Sequence, residues 1–174
     1  MDNTFKTKYL ILTGLFASLT AIGAYIYIPL PFSPVPITLQ MFFTFMAGGL
    51  LGKKYGFFSQ LIYVMIGAIG LPVFAGGAGG IGILFGPTGG YIMGFLAAGY
   101  IAGMSRDTFL SKILFMTLGL IFIYLLGTTR LMFVIQVDFI KALTIGVTPF
   151  IIGDLIKITL AAYLSVKLSN YIQH

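Results

Sequence analysis

Two opposite charges, Asp154 and Lys157, interrupt the last apolar stretch of the chain. Their i, i+3 spacing places both on one face of a helix. An ionisable side chain inside a membrane-crossing segment is costly and is a functional hypothesis by default. Two uses fit. The carboxylate can accept N–H bonds from a ligand while the ammonium meets a ligand oxygen or carboxylate. Alternatively, the two pair only with each other and stitch helices together. Residue chemistry leaves both open.

Two further stretches hold polar groups where chemistry is possible. Gln40, in Thr38-Leu39-Gln40, follows four prolines between Pro29 and Pro36; its amide can reach a cavity or make an interhelical hydrogen bond. The run Phe85-Gly-Pro-Thr-Gly-Gly-Tyr91 contains Thr88, which is expected to cap a helix, and Gly90 and Tyr91, which open it. A helix start of this kind favours an anionic or carbonyl oxygen, although a turn with tight packing explains the same residues. Ala17 and Ala21, extended by Gly14 and Ala24, form a small-residue stripe. Such stripes allow close helix approach, either within the chain or to a partner helix.

Catalytic and metal chemistry find little support. There is no Cys and no Glu, and the one His is His174. No Ser/His or paired-carboxylate arrangement can be assembled, so the chain is not expected to be an enzyme. Four scattered Asp residues do not make a cation site. The stretch Gly76-Gly77-Ala78-Gly79-Gly80 lacks the Lys-Ser/Thr of a phosphate loop. Lone charges still leave a proton relay open.

The elements that must carry these residues are membrane helices. The chain has 174 residues, 59% of them hydrophobic, and a mean hydropathy of +1.05. Charged residues make up 8%, against roughly 25% in soluble domains. Soluble enzymes, nucleic-acid binders and disordered chains are excluded. Uncharged runs cover residues 9–52, 55–105 and 113–129. At about 20 residues per span, they predict helices near 9–28, 39–52, 55–71, 89–105, 111–129 and 147–167. The expected fold class is all-α: a compact bundle of six transmembrane helices forming a single domain, 1–174. The run from Tyr9 is too long for a cleaved signal peptide. Lys6, Lys8, Lys53, Lys54, Arg106, Lys112 and Lys167 fall on one side, and Arg130 and Lys141 on the other. The positive-inside rule then places both termini in the cytoplasm.

The outer connections differ from the cytoplasmic ones. The first is proline-rich. The second has eight glycines among the fifteen residues 76–90, and the third, 130–144, is apolar. Irregular backbone of this kind is costly against lipid, so these segments are expected to fold inward over a cavity near the outer face.

The chain resembles the BioY family, the biotin-binding S components of energy-coupling factor (ECF) transporters. The matching stretches are Ile28-Pro-Leu-Pro31 with Pro34-Val-Pro-Ile-Thr-Leu-Gln40, Gly67 to Gly77, Leu84 to Tyr91, and Gly153-Asp-Leu-Ile-Lys157. The resemblance implies a six-helix subunit of a prokaryotic-type plasma membrane that captures biotin from outside. A transmembrane coupling subunit and two cytoplasmic ATPases would power release inward. It implies that Asp154 meets the ureido N–H groups of biotin, with Lys157 at the carboxylate or supporting Asp154. Gly76, Gly77, Gly79, Thr88, Gly90 and Tyr91 would enclose the ligand. Ala17 and Ala21 match the Ala-xxx-Ala motif that meets the coupling subunit. Biotin is the cargo, and no cofactor is implied. Some relatives carry a polar side chain in the Gly-rich loop, whereas this chain has Gly-Gly-Ala-Gly-Gly. Two other classes are distinguishable: a membrane scaffold would not need Asp154 and Lys157, and a gradient-driven carrier would transport in liposomes without an ATPase.

Overall fold

The computed structural model describes residues 3–173, so His174 lies outside them. The described chain is mostly helical. Helix α1 spans Asn3–Tyr25 and ends ahead of the prolines. The proline segment forms an antiparallel hairpin, with β1 Tyr27–Leu30 paired to β2 Ser33–Thr38. Tyr27 faces Thr38 and Ile28 faces Ile37, with a bulge before the Leu30–Ser33 pair. This corrects the expectation of irregular backbone there and of a purely helical chain. Proline lacks an N–H, but in a two-stranded ribbon each strand has a free edge where that loss is harmless.

Helix α2, Gln40–Ala68, has a single non-helical residue, Gly52, at φ 79° and ψ 171°. Glycine adopts that left-handed conformation without penalty. The chain folds back there. Thr44 Oγ1 donates to Gln60 Oε1 at 3.0 Å, and Gln40 bonds Tyr63 across the same crease. A straight helix would hold Thr44 and Gln60 about 24 Å apart. Residues 40–51 and 53–68 are therefore antiparallel arms, matching the two predicted segments near 39–52 and 55–71. Gly48 and Gly56 lie so close to one another and to the Gly99 carbonyl that a methyl group on either would collide.

A single 3-10 turn, Ala75–Gly77, and the short α3, Ile81–Phe85, precede α4, Gly89–Ala102. Helix α5, Phe109–Ile135, is capped by Thr108, which accepts from the Ser111 N–H at 3.4 Å. It ends at Gln136, whose φ of 53° breaks the helical path. Helix α6, Phe139–Gly146, starts on Asp138, whose Oδ1 accepts from the Lys141 N–H at 2.7 Å. The apolar segment 130–144 is thus almost wholly helical, another correction to the expected irregular loop. Helix α7 runs Ile151–Gln173.

Among the described residues, 6–25 of α1 and Phe109–Ile135 are each long and apolar enough to cross a bilayer. Helices α6 and α7 qualify together as one span bent by 53°. The shared core holds Phe45, Tyr63, Met116, Ile123 and Ile158, each at most 1% exposed. The lower end of the bundle is fastened by Lys112, whose Nζ donates to the Gly49 carbonyl at 2.7 Å and to Asp107 at 2.8 Å. The hairpin, α3 and α6 gather at the opposite end, where the cavity lies.

Candidate functional site

Asp154 sits in the first turn of α7, where the helix dipole favours a negative charge. Its backbone N–H bonds the Phe150 carbonyl at 2.8 Å. The residue is 2% exposed, and both carboxylate oxygens are engaged. Lys157 Nζ donates to Oδ1 at 2.8 Å, and the Tyr124 hydroxyl of α5 donates to Oδ2 at 2.7 Å. A buried carboxylate is tolerated when it is paired and hydrogen-bonded in this manner.

The three side chains open on a cavity of about 330 Å³. This is near the lower end of the roughly 300–1,000 Å³ typical of small-molecule sites. One wall is the hairpin, with Tyr27, Leu30, Val35 and Ile37; Phe74, Ala75 and Ala78 of the Gly-rich segment form a second. Thr88, just ahead of α4, and Tyr91, Ile92 and Phe95 of α4 form a third wall, and Gly146 and Phe150 line it from the α6–α7 bend. The walls are mainly apolar and aromatic, and the charge is concentrated at Asp154 and Lys157. That is the pattern of a site for a compact ligand with an apolar body and a polar head.

Gln40 also lines the cavity. Its Nε2 donates to the Tyr63 hydroxyl, which donates to the Val73 carbonyl at 3.1 Å. The Tyr63 ring meets Phe74 edge-on, with centroids 5.6 Å apart, and Phe74 is 1% exposed. This chain of contacts anchors the Gly-rich segment to α2. Tyr91 lines the cavity too, but its hydroxyl donates to the Gly146 carbonyl at 2.9 Å and ties α4 to α6.

Of the sequence-derived positions, the structure brings Asp154, Lys157, Gln40, Thr88 and Tyr91 to one cavity. Thr88 lies just before α4, but its side chain makes no capping bond; its carbonyl accepts from Tyr91 and Ile92 instead. Gly76, Gly77, Gly79 and Gly90 are not in the cavity wall. Gly76 and Gly77 have positive φ and face the rings of Tyr27 and Tyr25. Gly79 lies on the backbone of Gly70 and Leu71, and Gly90 on the Leu126 carbonyl of α5. They shape the wall from behind, because a Cβ would collide or the backbone angle would strain. Ala17 is 3% exposed and packs in the chain's own core, and Ala21 is half-buried against that core. Internal packing accounts for both within this chain.

Sequence reasoning missed Tyr124, Tyr63 and Phe74. Tyr124 borders the buried stripe of α5 formed by Met116, Leu120, Ile123, Gly127 and Leu131, but in a helix apolar all round the sequence does not mark which face is buried. Tyr63 and Phe74 carried no signal either, since both are aromatic residues in an apolar chain.

A family model for the BioY family matches residues 1–174. The chain belongs to the BioY family. It is 46% identical over 167 residues to the probable biotin transporter BioY of Pyrococcus horikoshii, covering 95% of this chain and 98% of that protein. It is 43% identical over 166 residues to the biotin transporter BioY of Thermotoga maritima, covering 94% and 96%. A crystal structure of the S-component for biotin from an ECF-type ABC transporter superposes with a TM-score of 0.91 at 32% identity, covering 98% of this chain and 95% of that one. The BioY family fold therefore extends over essentially the whole described chain.

Proposed function

We propose that this BioY chain is the biotin-capturing S component of an ECF-type importer, resident in the plasma membrane. The observation that carries the reading is a mainly apolar, aromatic-lined cavity whose charge is confined to Asp154 and Lys157 at one end of the bundle. Biotin has a fused apolar ring and chain, a ureido head with two N–H donors, and a carboxylate. Asp154 accepts from one of those N–H groups. Lys157 balances its charge and supplies donors to a ligand oxygen. Gln40, Thr88 and Tyr91 complete the polar lining, while Gly76, Gly77, Gly79 and Gly90 allow the surrounding backbone to close around it. The chain acts as a binding and transport subunit rather than an enzyme, with biotin as cargo and no cofactor.

The architecture we infer has six crossings in one domain, 1–174: α1, the two arms of α2, α4, α5 and α7. Both termini and the crease at Gly52 lie in the cytoplasm, because Lys8, Lys53, Lys54, Arg106 and Lys167 gather there. That end would meet a coupling subunit and two ATPases.

Titration calorimetry on the purified protein tests the reading. Biotin binds tightly, and Asp154→Asn weakens binding by at least about tenfold, the effect of losing a charged hydrogen-bond acceptor. No heat with the wild-type protein, or equal affinity in the mutant, overturns the assignment.

A further inference from the structure

We propose that Tyr124 is a positioning residue for ligand recognition. Its hydroxyl holds Oδ2 of Asp154 apart from Lys157, so that the carboxylate keeps a fixed, free acceptor position turned to a ligand N–H donor. The inference rests on biotin being the ligand. It concerns a residue on a different helix from the ion pair.

A lysine ammonium has three donors and a carboxylate about four acceptor positions. Left alone in a dry pocket, such a pair closes on itself and leaves little for a third molecule. In this site the two oxygens are divided: Lys157 takes Oδ1 at 2.8 Å and Tyr124 takes Oδ2 at 2.7 Å. Each oxygen keeps one acceptor position for a ligand. The two donors come from different helices, α7 and α5, so the carboxylate plane is fixed by the bundle rather than by one flexible lysine. A cyclic urea directs its two N–H groups to opposite sides of its ring, so a carboxylate fixed in this way accepts one of them. Tyr124 also lines the cavity, but an apolar wall needs only its ring. The hydroxyl is the part that acts on Asp154.

Tyr124→Phe keeps the ring and removes the hydroxyl. Calorimetry with biotin and with desthiobiotin, which keeps the cyclic urea but lacks the thioether ring, separates positioning from packing. Both affinities fall about tenfold and to the same extent, the weight of one hydrogen bond to a charged group. A loss seen with biotin but not desthiobiotin assigns Tyr124 to packing against the thioether ring and overturns the proposal, as does no loss with either. If Tyr124→Phe fails to fold, difluorotyrosine at 124 replaces it. That residue keeps the shape and makes the hydroxyl a stronger donor. Altered biotin affinity at an unchanged melting temperature supports the proposal, and unaltered affinity overturns it. A wild-type protein that does not bind biotin sinks the proposed function itself, an outcome distinct from wild-type binding with an unaffected variant.

Discussion

Removing Lys157 while leaving Asp154 strands a carboxylate that is only 2% exposed. Breaking one partner of a buried pair costs about 3 kcal/mol, because the remaining charge is uncompensated. Lys157→Met is therefore expected to lower unfolding stability in detergent by about that amount. The double variant Asp154→Asn with Lys157→Met recovers part of the loss, since no lone charge remains. Denaturant melts of the three proteins check this, and a double variant no more stable than Lys157→Met sinks it. The same pair was legible in the sequence, because two charges one turn apart in an apolar run have few explanations. Tyr124 was not. Its role depends on α5 lying against α7, and a tyrosine in an apolar helix looks the same whether it faces lipid or a carboxylate.

Individual elements hold the site through backbone approach and capping. A Cβ on Gly90 would run into the Leu126 carbonyl and Arg130 side chain of α5. Gly90→Ala is expected to push α4 from α5 and cost about 2 kcal/mol, the usual penalty for overpacking. Biotin affinity falls with it, because Tyr91 and Thr88 ride on the same helix. A melt and a titration on one preparation measure both, and unchanged values refute the role given to Gly90. Lys112 provides the contrast at the far end. Its contacts with Gly49 and Asp107 fasten α5 to the crease of α2, so Lys112→Met lowers the melting temperature without changing biotin affinity. A loss of affinity at constant stability contradicts that division. The helical runs were readable because charges punctuate them cleanly. The hairpin and α6 were not: proline density and apolar composition at 29–36 and 130–144 signalled a departure from membrane helices, while pairing and capping depend on neighbours distant in sequence.

At the scale of the whole molecule, the polar end and the cavity end are separated by charge as well as by structure. Lys53 and Lys54 flank the Gly52 crease at one end, while Asp138 caps α6 at the other. The uneven distribution of Lys and Arg is readable in the sequence without any tertiary contact, and the positive-inside rule turns it into the proposed orientation. The location of the cavity was a weaker inference from loop composition, and the gathering of the hairpin, Phe74 and Tyr91 around one space gives it form. The absence of cysteine from the chain makes orientation testable without background. Single replacements Lys54→Cys and Asp138→Cys are introduced, and intact cells are treated with a membrane-impermeant maleimide. Cysteine at 138 reacts at once, whereas cysteine at 54 reacts only after the membrane is permeabilised. Both positions lie at turns or caps, away from the biotin-contacting side chains, so both variants retain biotin binding and remain interpretable. Labelling at 54 in intact cells with protection at 138 would invert the topology. It would place the cavity on the cytoplasmic side, where an importer could not collect its cargo.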